Sequence, residues 1–102
     1  MTSNNPAMRA RVAADALDRL VQDVQTGRAR WDHEQTIRQT TDELARLTAA
    51  MASTLQQLAA AYGQQTRPGP AAEQTLTALH QAGQHTVTAA DRLRQARRTM
   101  TR

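Results

Sequence analysis

From Ile37 through Leu44, Leu47, Met51, Leu55 and Leu58 to Tyr62, the large apolar residues return at intervals of three, four or seven. At 100° per residue this spacing confines them to an arc of about 80° and predicts one long amphipathic helix over 32–62. A face that narrow has the form of a coiled-coil seam, so the ridge is expected to be covered by other helices, of this chain or of a partner. An earlier helix is predicted over 8–26, with Ala13, Leu17, Leu20, Val21 and Val24 on one side, after a flexible polar segment over 1–7. A third is predicted over 70–99, with Ala72, Leu76, Leu79, Gly83, Val87 and Ala90 turned inward.

The punctuation between these stretches supports the division. Gly27 follows the last periodic residue of the first helix and is placed to end or kink it, because a glycine there can take the left-handed conformation that closes a helix. Asp32 with Gln35 three residues on has the form of a capping box, and Trp31 precedes it where an apolar residue can staple a helix start. One bent helix running through Gly27 is the alternative. The stretch 63–70 holds two glycines and two prolines, so 63–69 reads as a loop, with Pro70 suited to the first turn of a helix. Gly83 falls inside the third pattern. It reads either as a point of close helix approach, as a kink, or as the turn of a helix-turn-helix, although Gln84 and Ala89 are poor matches to the apolar positions of that motif.

The resulting expectation is an all-α, three-helix chain forming a single helical domain over 8–102. Helices two and three form a long antiparallel hairpin, helix one packs across it, and self-association completes a bundle. Composition sharpens this. Leu, Ile and Val together supply fourteen residues and Phe none, so the large apolar set is small for 102 residues and a second copy or a partner is expected to contribute to stability. The modest net charge of +4 and the clear helical period argue against disorder. No run of about 18 apolar residues is available to span a membrane, and the polar start offers no secretory signal, so a cytoplasmic site is the expectation. All thirteen basic residues are Arg, a usage resembling that of GC-rich, actinobacterial-like genomes.

Candidate chemistry is sparse. The absence of cysteine removes disulfides, thiolate metal sites and thiol nucleophiles. His80 and His85 are five apart, about 140° around a helix, and cannot hold one metal from one face; His33 lies beside a helix start. Glu73 and His80 share a face with only Thr77 between them, and the two serines have no evident base. No enzyme activity, metal, cofactor or small-molecule substrate is expected. Thr40, Thr48 and Thr54 read as semi-polar packing residues that bond back to their own helix.

Charge is distributed unevenly. Residues 1–27 carry three Arg against three Asp, 28–62 four Arg against four acids, and 63–102 six Arg against Glu73 and Asp91. Arg92, Arg94, Arg97, Arg98 and Arg102 form a C-terminal cluster, with Arg94, Arg97 and Arg98 adjacent on a helix expected to project beyond the bundle. Such a cluster can neutralise phosphates, and it also reads as a solvated helix end complementing the helix dipole. The first expectation of function is therefore an adaptor or assembly protein. Its contact residues would be Leu17, Leu20, Val24, Ile37, Leu44, Leu47, Met51, Leu55, Leu58 and Tyr62, meeting a second copy or a helical partner. The alternative is a DNA- or RNA-binding accessory protein using the arginine cluster.

The length near one hundred residues, the all-helical character and a lone tryptophan near a turn resemble the small WXG100 (ESAT-6-like) proteins. That resemblance implies helical hairpins that associate as dimers and are exported by type VII secretion. This chain departs from the motif: it reads Trp31-Asp32-His33 with no glycine two positions after the Trp, the loop 63–69 lacks a tryptophan, and Thr66 stands four positions after Tyr62 where the family has an acid.

Overall fold

A computed structural model describes residues 5–100. These contain three helices, α1 (Pro6–Gln25), α2 (Glu34–Gln65) and α3 (Pro70–Met100), and no strand. The all-α architecture expected from the hydrophobic period is what the chain adopts. Packing divides it into two compact units, one through Glu34 and one from Gln35 onward.

In the first unit, α1 begins two residues earlier than its apolar period indicates. Asn5 is its N-cap, with the side-chain Oδ1 accepting from the backbone N–H of Ala7 at 3.0 Å, and Pro6 occupies the first turn, where its missing N–H costs nothing. The Asn5-Pro6 pair is thus a start signal lying outside the apolar pattern, and it removes 5–7 from the expected flexible segment; 1–4 lie outside the described residues. The helix ends as predicted. Gly27 has φ of +80°, its N–H donates to the carbonyl of Val24 at 3.2 Å, and the N–H of Ala29 reaches the carbonyl of Asp23 at 2.9 Å. These bonds satisfy carbonyls that a helix end otherwise leaves open. One continuous bent helix through Gly27 is excluded. The onset of α2 at Glu34 corrects the proposed capping box: Trp31 and Asp32 precede the helix and are both exposed, and Glu34 supplies the acidic first turn.

The second unit is an antiparallel hairpin of α2 and α3. On α2, Thr41, Ala45, Thr48, Ala52, Leu55, Ala59 and Tyr62 follow at alternating intervals of four and three, and each is buried or half-buried. On α3 the same alternation runs through Ala72, Leu76, Leu79, Gly83, Thr86, Ala90, Leu93 and Arg97. This is a heptad seam, and its buried members are small: Ala45, Ala52, Ala59, Ala72 and Ala90, with Thr41 and Gly83. A Cβ built on Gly83 would lie 3.9 Å from Cβ of Leu55, and one built on Gly63 would lie 3.9 Å from the Leu76 methyls. These pairs fix the register. It sets Ala45 opposite Leu93 and Ala59 opposite Leu79, a small residue across from a large one, while Thr48 faces Ala90 and Ala52 faces Thr86, small residues on both sides.

The structure corrects two sequence expectations and decides between the readings of a third. Gly63 does not stop α2, which runs on to Gln65, so the loop shortens to 66–69. Pro70 does open α3, with the Gly69 carbonyl accepting its first helical hydrogen bond from Glu73 at 2.9 Å. Gly83 does not end α3, which is continuous through it, and is not a helix-turn-helix turn; of the readings offered from sequence, that of a buried contact point is the one the packing fits. Val87, expected inward, is 43% exposed, because the seam passes through Thr86 instead.

Candidate functional site

The stripe of large apolar residues that organises the sequence is not the face that closes the hairpin. With Ile37 as origin, the seam of α2 is centred about 75° around the helix from the centre of the stripe. Leu55 and Tyr62, at the stripe's edge, are the members it shares with the seam. Ile37, Leu44, Met51 and Leu58, spaced by seven, are left as a ridge along one side of α2. Coverage within the chain is partial: Leu44, Leu47, Leu55 and Tyr62 are half-buried, while Ile37, Met51 and Leu58 are 36%, 44% and 50% exposed.

The reason lies in side-chain volume. Two helices in heptad contact approach most closely along the row that carries alanine, threonine and glycine, and a row of Leu and Met would hold them apart. The consequence is a core without bulk. Among the described residues no large side chain is fully buried, and the buried apolar set is five alanines. At about 0.8 kcal/mol per buried methyl, these supply only about 4 kcal/mol. The leucines at the seam's margins must contribute the rest, and each remains partly wet.

Of the threonines expected to bond back to their own helix, Thr48 donates to the carbonyl of Leu44 and Thr54, which is exposed and outside the seam, to Ala50 at 2.9 Å. Two seam threonines that the sequence reading did not single out do the same, Thr41 to Ile37 at 2.8 Å and Thr86 to Ala82 at 2.6 Å. Each hydroxyl is satisfied by its own helix, which lets Thr41, Thr48 and Thr86 serve as small semi-polar seam residues.

Opposite the ridge, the other side of the hairpin is a shallow furrow of about 490 Å³ beside Gly83, lined by Leu55, Gln56, Leu79, His80, Val87 and Thr88 among others. It results from the missing side chain at Gly83 and the small residues beside it. No three His, Asp or Glu side chains come together among the described residues, and His33, His80 and His85 are all exposed.

The arginine cluster is not one basic face. Arg97 lies in the seam and its Nε is 2.9 Å from Oδ1 of Asp42, while Thr41 meets the sulfur of Met100 at 3.8 Å. The last turns of α3 are therefore packed on the start of α2 and do not project. Arg94 pairs with Asp91 at 3.5 Å, Arg92 donates to Gln95 at 3.3 Å, Arg98 is exposed, and Arg102 lies outside the described residues.

In the first unit, Leu17, Leu20 and Val24 of α1 are half-buried, Val12 and Val21 are exposed, and no residue of α1 is buried. No described helix is long and apolar enough to cross a membrane. The lone Trp31 lies between α1 and α2 in the chain, whereas the hairpin turns at 66–69, so the turn of the hairpin carries no tryptophan. Comparison with family models, with curated proteins and with solved structures finds no match to this chain.

Proposed function

We propose that this chain is a non-enzymatic helical assembly protein whose hairpin is covered by further helices along the ridge of Ile37, Leu44, Met51 and Leu58. The observation that carries this reading is the pairing of a core of alanines with a row of large side chains left half in water at a seven-residue pitch. A ridge with that period matches another helix of the same pitch, and covering it removes from water the apolar area that the hairpin seam does not use. α1 offers an apolar face of its own through Leu17, Leu20 and Val24. A nucleic-acid role through Arg92, Arg94, Arg97, Arg98 and Arg102 is less well supported, since Arg97 is committed to Asp42 and Arg94 to Asp91.

The test compares the full chain with Leu58→Glu and Met51→Glu, following helix content by circular dichroism and mass by light scattering, with and without a short DNA duplex at low and moderate salt. Both positions are exposed, so helix content should be kept, while self-association or capture of a helical partner should be lost. Association that survives both substitutions overturns the ridge as the working surface. Duplex binding that falls steeply with salt and disappears when residues 92–102 are removed would replace this reading with the nucleic-acid one.

A further inference from the structure

We infer that the occupant of the ridge is a second copy of this chain, related by a two-fold axis parallel to the helices, so that α2 of each copy lies on α3 of the other. The inference rests on the assembly reading above and adds the partner's identity and arrangement.

The hairpin carries both halves of the contact on one side. In an antiparallel heptad pair, the flank of α2 that bears Ile37, Leu44, Met51 and Leu58 lies beside the flank of α3 that bears Ala82, Ala89 and Ala96. Both rows repeat every seven residues, one large and one small. A two-fold rotation about an axis parallel to the helices exchanges left and right without changing height, so it lays the large row of each copy over the small row of the other. Such self-match is what an isologous interface requires. The alternative two-fold, perpendicular to the helices, would set the ridge on the ridge and the alanines on the alanines, leaving a gap along one row.

Charge and area agree with a second copy. Between Ile37 and Leu58 the outer positions of this side are Thr40, Leu47 and Thr54, so no charge interrupts it, while Asp42, Glu43 and Arg46 point elsewhere on α2. On α3 the outer positions of this side are Ala78, His85 and Arg92, so its polar groups, His85 and Arg92, stand at the rim. The span from Ile37 to Leu58 is about 31 Å at about 1.5 Å per residue. Two helices, each about 10 Å across, give a flat face of roughly 600 Å². That footprint compares with the roughly 800 Å² per partner of a standard-size complex.

The register gives heights. Leu55 stands opposite Gly83 and Gly63 beside Leu76, so Met51 lies at the level of 87–88, and Ala89 is the small-row residue of the other copy nearest that level. The chain has no cysteine of its own, which makes the contact addressable. Met51→Cys and Ala89→Cys chains are prepared separately, mixed, equilibrated and treated with a short thiol-specific cross-linker, with the mass of the unsubstituted chain measured in parallel. The expected result is a mass twice that of one chain and a cross-linked product in the mixture several-fold above that of either variant alone. Cross-linking by Met51→Cys alone, at or above the level of the mixture, overturns the arrangement by placing α2 on α2. A monomeric mass at high micromolar concentration overturns the second copy. Neither of these outcomes touches the ridge as a binding surface, which fails only if association survives both Leu58→Glu and Met51→Glu.

Discussion

The Nε of Arg97 lies 2.9 Å from Oδ1 of Asp42, joining the last turns of α3 to the third turn of α2 at the open end of the hairpin. The loop at 66–69 holds the other end covalently, so this pair and the Thr41–Met100 contact close the end most prone to fray. The Arg97 side chain is 28% exposed and that of Asp42 is 53% exposed, a half-solvated setting in which an ion pair contributes at most about 1 kcal/mol. Asp42→Asn should therefore lower global stability by less than about 1 kcal/mol, yet raise amide exchange measurably in the last two turns of α3. Unchanged exchange there would show that the pair does not hold the end.

Gly83 makes a sharper case. Its buried position in the middle of α3 looks like a requirement for close approach, but a Cβ added there would meet only Leu55 Cβ, at an ordinary contact distance of 3.9 Å. Glycine inside a helix costs roughly 0.5–1 kcal/mol relative to alanine through backbone entropy. Gly83→Ala should accordingly raise the unfolding free energy by about 0.5–1 kcal/mol in urea melts. A destabilised variant would mean that the helices approach more closely than the register described here.

How much of this was legible in the sequence differs by element. The three helices were readable because periodicity and punctuation agree: Gly27 ends α1, Pro70 opens α3, and the large apolar residues of α2 return on one face. The hairpin seam was misplaced by that same signal. Hydropathy weights Met51 and Leu58 above Ala52 and Ala59, yet the closest approach of two helices is set by the smallest side chains, so the strongest apolar row marks a flank. The seam could have been found from its own pattern, since Ala45, Ala52 and Ala59 repeat by seven, as do Gly83 and Ala90. The departure at Arg97 has a similar origin. Clustered charge suggests a solvated end, and only the length of α2 shows that its start reaches back to meet those turns.

Gly27 is the position where backbone conformation forbids other residues. With φ of +80°, a side chain there crowds the backbone, at about 1–2 kcal/mol for an L-residue in the left-handed region, although nothing lies within 4 Å of the added Cβ itself. Gly27→Ala should weaken the end of α1, lowering protection of the Thr26 and Gly27 amides that bond to Gln22 and Val24, while Gly27→Asn should recover part of the loss. Equal protection in all three proteins would show that the cap does not set where α1 stops.

The seam and the ridge should respond oppositely to volume. Ala52 and Ala59 are 4% and 3% exposed, so Ala52→Leu inserts three heavy atoms where the helices are closest. The pair must then separate or shift register, at a cost of about 1–3 kcal/mol for overpacking. Leu58, half exposed at the flank, can shrink without opening a cavity: Leu58→Ala should lower the stability of the hairpin by at most about 0.8–1.5 kcal/mol, the half of a transfer term of about 1.5–3 kcal/mol that a half-exposed side chain gains. Denaturant midpoints measured at low concentration isolate this contrast from association. If Leu58→Ala proved the more damaging of the two, the alanine row would not be the true interior of the hairpin, and the ridge would be its core after all.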